Sequence, residues 1–172
     1  MMGKILAASI VVSALIAGIA IYYLQVYAYY DEITAGSPEA RVTLTTADGA
    51  VEEIAVTDFR GIDSDSSPIR YRACFRLTVT PDATTHRPYD GAEPLVAPGW
   101  FDCFDAREIG EALAAGQASA WMGEENHRYG IDRIVTVLPD GRAFAWQQIN
   151  ACGKEVFDGN PAPPGCPAPP VR

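Results

Sequence analysis

The sequence predicts an α+β protein: an N-terminal transmembrane helix followed by a small disulfide-stapled domain of about five antiparallel strands with one or two short helices. Three observations predict it. Ile5–Leu24 is a run of 20 residues without a charge. Four cysteines, Cys74, Cys103, Cys152 and Cys166, all lie beyond that run. The rest of the chain alternates apolar and polar residues over short stretches divided by Gly, Pro and Asp turns, which is the period of half-buried strands.

At 1.5 Å per residue, a helix over Ile5–Leu24 spans the roughly 30 Å hydrocarbon core of a bilayer. Lys4 precedes the run. Tyr22, Tyr23, Tyr27, Tyr29 and Tyr30 crowd its far end, and Asp31 and Glu32 follow. Tyrosine rings favour the headgroup layer, and a basic residue favours the cytoplasmic side. The expected orientation is N-terminus inside and domain outside, with the lipid bilayer as the partner of this segment. A signal peptide cleaved after Ala20 is the alternative, since Gly18 and Ala20 are small. The run is longer than the usual apolar stretch of about 7–15 residues in such peptides, and the tyrosine belt suits a retained anchor. Ala7, Ser9, Ser13, Ala14, Ala17 and Gly18 are small enough to admit a partner helix of a membrane protein complex. Residues 1–30 are therefore expected as the anchor, 31–40 as a linker, 41–157 as the domain, and 158–172 as a proline-rich tail tied by a disulfide.

Charge narrows the function. Residues 31–172 hold all 22 acidic residues and 12 of the 13 basic ones, a balance of −10. A phosphate backbone would repel such a domain, so nucleic-acid binding is excluded. Chain length leaves no room for a sensor joined to a kinase, or for a channel bundle.

An even cysteine count behind an export signal reads as disulfides. A zinc site is the competitor, but there is no C-x-x-C pair and the spacings fit no standard finger. Of the three pairings, Cys74–Cys103 and Cys152–Cys166 are expected. The second closes a short loop in a tail that could not otherwise fold down, and Gly153 and Gly165 ease its geometry.

The strands follow in order. Arg41–Thr46 alternates, Ala47–Gly49 turns, and Val51–Thr57 returns as a hairpin. Asp58–Pro68 reads as a polar loop. Ile69–Thr80 is the clearest strand, with Tyr71, Ala73, Phe75, Leu77 and Val79 on the core face. Arg70, Arg72, Cys74 and Arg76 share the other face. Residues 81–101 form a long loop with four prolines, of a length that is uncommon unless functional or stapled. Asp105 caps a short helix to Ala115, with Glu108 three residues on, an Ile109, Ala112, Leu113 stripe, and Gly116 as the stop. Ala118–Met122 reads as a further helical turn. Ile131–Leu138 and Arg142–Ile149 flank Pro139–Asp140–Gly141, a second hairpin. From Asp158 onward, six prolines predict extended coil.

The candidate contact or anion site is Arg70, Arg72, Arg76, Trp100 and Asp102. Guanidinium forks suit carboxylates and other anions. A Cys74–Cys103 bond would lay Trp100–Asp105 over the arginine face, bringing Asp102 and Asp105 within pairing range. A solvated face neutralised by the domain's own acids explains the same residues and is preferred. Trp100, between Pro98–Gly99 and Cys103, is the best candidate for an exposed contact. Asp63–Ser67 resembles the start of a calcium loop, but its sixth position is Pro68 and its twelfth Cys74, where glycine and glutamate are needed. His127, beside Glu124 and Glu125, reads as part of a surface turn. His86 is the other histidine. No nucleophile elbow, P-loop, dinucleotide fingerprint or haem motif is present, so no catalytic residue, cofactor or metal is assigned.

Tyr22–Tyr30, Ser66–Phe75, Gly91–Ala106, Tyr129–Val135 and the stretch from Trp146 to Pro167 together resemble an alphaproteobacterial family of single-pass membrane proteins, classed only as a domain of unknown function. The resemblance implies a bacterial inner-membrane protein with a periplasmic domain. It carries over no activity and no site residue. Some members bear a histidine-kinase label. That chemistry needs a phospho-acceptor histidine on a dimerising helix and a glycine-rich ATP lid. Neither His86 nor His127 lies in a helical hydrophobic repeat, and the lid is missing.

Two functions follow as expectations. The first is a non-enzymatic, membrane-anchored periplasmic accessory or interaction protein. The second is a periplasmic ligand-binding or hydrolytic module using the Arg70, Arg72 and Arg76 face, with Asp102, Asp105 or His127 as acid or base. Convergence of those side chains on one cleft would favour the second.

Overall fold

The structure, a computed structural model, describes residues 2–170. Helix α1 (Met2–Tyr23) is exposed on every side and is long and apolar enough to cross a membrane. It runs into a π-helical turn, Leu24–Ala28, and after Tyr29 and Tyr30 the chain enters strand β1 (Asp31–Ile33). The expected linker at residues 31–40 is therefore folded. β1 pairs antiparallel with β4 (Val56–Asp63), and Pro38–Ala40 makes a 3-10 turn that buries Ala40. Three residues are too few to show a strand period, which is why β1 is silent in the sequence.

The domain has eight strands where about five were expected. β2 (Val42–Thr45) and β3 (Val51–Ile54) form the first hairpin. β4 occupies most of the expected Asp58–Pro68 loop. Its polar residues hide a strand, and a register shift between Thr57 and Arg60, with Asp58 at φ 54°, breaks the alternation. β5 (Arg72–Leu77) is shorter than Ile69–Thr80. β6 (Ser119–Arg128) replaces both the helical turn expected at Ala118–Met122 and the surface turn expected at His127; two register shifts blur its pattern. β7 (Ile131–Val137) and β8 (Arg142–Ile149) form the second hairpin. The main sheet has the order β1-β4-β5-β8-β7-β6, and β2-β3 stand apart as a two-stranded sheet.

Residues 85–89, inside the expected long loop, join the two sheets. On one side Ala47 N–H donates to Thr85 C=O and Arg87 N–H to Thr45 C=O. On the other, Tyr89 N–H donates to Ala120 C=O and Met122 N–H to Arg87 C=O. The hairpin is thereby folded over one face of the main sheet.

Both faces of that sheet are consequently covered. Tyr71, Ala73 and Phe75 meet Val42, Leu44, Trp121 and Val135 beneath the hairpin. Val79, expected with them, lies past the end of β5 and is 64% exposed. The opposite face carries Ile62, Cys74, Ile134, Phe144 and Trp146, roofed by Phe101, Phe104 and Ile109. Helix α2 (Ala106–Ala114) supplies Ile109, and its Asp105 cap accepts from the N–H groups of Arg107 and Glu108. A disulfide joins Cys74 in β5 to Cys103 in this roof, and a second joins Cys152 to Cys166.

Helix α3 (Ala151–Phe157) was not expected. Asn150 caps it by accepting from Gly153 N–H. Glycine disfavours a helix interior, but a Cβ at position 153 would lie 2.2 Å from the Gly130 carbonyl oxygen. The residue that hides the helix in the sequence is the one that lets it pack.

Candidate functional site

The anchor and the domain meet at one aromatic junction. Trp100 Nε1–H donates to the Val26 carbonyl at 2.6 Å. Its ring stacks on Tyr27, with centroids 6.3 Å apart, and meets Tyr30 edge-on at 6.1 Å. The π-helical turn at Leu24–Ala28 is where the Val26 carbonyl is taken. Trp100 is thus half-buried against this chain's own tyrosine belt, where an exposed contact residue was expected.

The structure disperses the arginines. Arg70 lies over the Tyr30 ring, 5.3 Å from its centroid. Its Nη1 is buried and has no hydrogen-bond partner. Arg72 is 3% exposed, not on a solvated face. Its Nε–H donates to Leu95 C=O at 2.8 Å, Nη1 to Ile69 and Tyr71 C=O, and Nη2 to Val96 C=O. Burial pulls its pKa down to about 10, which leaves it charged at neutral pH. It is a clamp holding the Leu95–Val96 loop to the sheet through two of these bonds, while the other two go to carbonyls beside its own position. Arg76 faces Asp58 at 4.0 Å and donates to the Asp140 carbonyl.

The acids do not join these arginines. Asp102 pairs with Arg60 at 2.9 Å, and Asp105 is occupied as the α2 cap. Arg60 also lies over the Phe101 ring at 5.6 Å, next to Trp100. Sequence reasoning missed Arg60 because β4 was read as loop. Alternation over Arg60 and Ile62 is the one local signal that could have found it.

Other polar clusters are built into the fold. His127 Nδ1 bonds Glu124 at 2.7 Å, and its Nε2 lies 3.1 Å from Arg133, whose guanidinium stacks 4.1 Å from the buried Tyr71 ring. His86 is buried between Thr85 and Glu52. Asp63 Oδ1 accepts from Ser64 N–H, and burial raises the Asp63 carboxyl above its usual range. Among the described residues, no three His, Cys, Asp or Glu side chains are grouped to hold a metal ion.

A polar cleft of about 570 Å³ lies between Arg87–Gly91 and Gln148–Lys154. Asp132 is buried at its base. It accepts from Asn126 N–H at 2.9 Å and Asn150 Nδ2 at 2.8 Å, and faces Tyr89 Oη at 3.3 Å. Burial first, and the Asp132 charge second, push the Tyr89 phenol up to about 12. These bonds tie the β6–β7 turn to the start of α3. Sequence reasoning missed Asp132 because its partners lie up to 43 residues away.

Comparison with known proteins gives one finding. A family of unknown function, DUF6446, matches residues 42–167. No curated protein matches, and no solved structure does.

Proposed function

This chain belongs to DUF6446, a family of unknown function, and from that premise we propose that it is a non-enzymatic, membrane-anchored accessory or interaction protein of the periplasm. The observation that carries this reading is the Trp100–Val26 contact, followed at once by β1. The domain is seated on its anchor. A seated domain suits a subunit that must present one surface at a fixed height and orientation to a neighbour.

Four cysteines joined in two disulfides support an oxidising compartment. Lys4 before the apolar run supports a cytoplasmic N-terminus in the inner membrane. Among the described residues, the Arg70, Arg72 and Arg76 side chains of the rival module go to separate partners and do not converge. Arg72 is locked on backbone carbonyls, and Asp102 is committed to Arg60.

The test is a mild-detergent pull-down from native membranes, read by mass spectrometry. Stoichiometric recovery of one membrane complex is expected. Recovery of this chain alone would remove the support for an accessory role.

A further inference from the structure

We propose that the anchor–domain junction is a phospholipid site, in which Arg70 holds the phosphate of one lipid headgroup between Tyr30 and the Trp100 loop. The proposal rests on the anchored reading above.

It begins with an unmet demand. Arg70 Nη1 is buried without a partner, and the rest of the half-buried guanidinium, which is the part a ligand would meet, makes no side-chain hydrogen bond or ion pair among the described residues. A buried guanidinium N–H left unpaired costs more than a buried neutral group in the same state. Carboxylates are abundant, with 22 in the chain, yet among the described residues none lies within ion-pair distance of Arg70. The Tyr30 ring fixes the guanidinium without using its N–H groups, since a cation over an aromatic face is held by the ring and not by an acceptor.

Position supplies the partner. Gln25 breaks the apolar run at Leu24, the tyrosines follow it, and Trp100 is bonded to the carbonyl of Val26, two residues beyond Leu24. Trp100, Tyr27 and Tyr30 therefore stand where indole and phenol rings settle, in the headgroup layer, which is about 5–7 Å thick on each side of the hydrocarbon core. Arg70, packed on Tyr30, lies in or beside the same layer. The commonest acceptor there is a lipid phosphate, and the guanidinium fork fits it with two parallel bonds. Arg60, on the Phe101 ring beside Trp100, adds a second positive charge, partly offset by Asp102.

Asp31 and Glu32 follow Tyr30 directly and are exposed. With the acidic domain above, they oppose any broad attraction to an anionic surface. The site therefore selects the phosphate that every phospholipid carries, not the net charge of the headgroup.

The test uses the full chain in nanodiscs of phosphatidylcholine, then of phosphatidylcholine with phosphatidylglycerol, followed by transfer to mild detergent and native mass spectrometry. One retained phospholipid per chain is expected from either disc. Arg70→Gln should cut retention at least tenfold, while Arg107→Gln, on the exposed side of α2, should not. Arg70→Lys keeps the charge on the Tyr30 ring and guards against a folding defect; it should retain lipid several-fold more weakly than the wild type. Equal retention by Arg70→Gln would overturn the proposal, as would retention only from the phosphatidylglycerol discs. Binding of inorganic phosphate by the delipidated chain as tightly as it binds lipid would overturn the lipid assignment. Alkaline carbonate extraction separates the two readings. A chain that stays in the membrane pellet but holds no lipid defeats this proposal alone, and a chain that is extracted defeats the anchor with it.

Discussion

Trp100 reaches back 74 residues to donate its indole N–H to the carbonyl of Val26. That bond and the Tyr27 stack are what turn an anchor and a domain into one body. Stacking and a hydrogen bond of this kind are worth together about 1–3 kcal/mol. Trp100→Ala should therefore raise chymotryptic cleavage at Tyr29 and Tyr30 about tenfold, and Trp100→Phe should fall between. Cleavage at the wild-type rate in both would mean that the junction is held by something else.

Arg72→Met keeps most of the side chain's volume and removes its donors. The carbonyls of Ile69, Leu95 and Val96 then lose their partner inside a folded loop. The loss should be about 2–4 kcal/mol in chemical denaturation. Arg72→Lys should recover little, because a point-like ammonium cannot serve carbonyls on two separate segments. A full rescue by lysine would show that charge, not the fork, does the holding.

The two disulfides should differ in weight. Cys74 is in the core and binds the helical roof to β5, closing a loop with a separation of 29 residues. Cys152–Cys166 closes one of 14 and restrains mainly the proline-rich tail. Loop entropy alone assigns the first about 3–4 kcal/mol and the second slightly less. Replacing Cys74 and Cys103 by alanine should also open a gap beneath Phe101 and Phe104, so its melting temperature should fall further than that of the Cys152, Cys166 double variant. Equal melting temperatures would refute the claim that the first bond seats the roof.

Asp63 gives a pH dependence with a definite sign. Its carboxyl is raised by burial, against the lowering effects of Ser64 N–H, Arg133 and Arg128, with Asp65 adding to the rise. A group whose folded pKa is raised holds its proton more tightly when folded. Stability is lost as pH climbs from its unfolded value, near 3.8, through the raised one. Asp63→Asn, which keeps an oxygen for Ser64 N–H, should melt higher than the wild type at pH 7, and the gap should close below pH of about 4. A gap unchanged between those pH values would assign the effect to packing.

Much of the fold was legible where the signal is local. The span from Ile5, the Asp105 cap, the Pro139–Gly141 turn and the core face of β5 each rest on neighbours within a few residues. What stayed hidden depends on distant partners. β1 is three residues long and exists because β4 is there to pair with. The alternation around Arg72 marks a polar face, but only the loop arriving at Leu95 makes that face an interior. Asp102 was legible as an ion-pair candidate, whereas its actual partner, Arg60, was hidden in a strand that reads as loop. The junction was half visible: the tyrosine belt was plain, and Trp100 stood out, but nothing short of the folded chain brings them together.

On the anchored reading proposed above, β1 follows the span after only a turn and two tyrosines, so the sheet would move as a lever fixed to the membrane helix. Spanning helices commonly lean by about 20°, and a domain of this length is about 35 Å across. A change of tilt on that scale would swing the far rim of the domain through about 12 Å. Membrane thickness, or a helix packed against α1, would then set how far from the bilayer that rim stands. With no slack between helix and sheet, mechanical posture in the membrane becomes reach outside it.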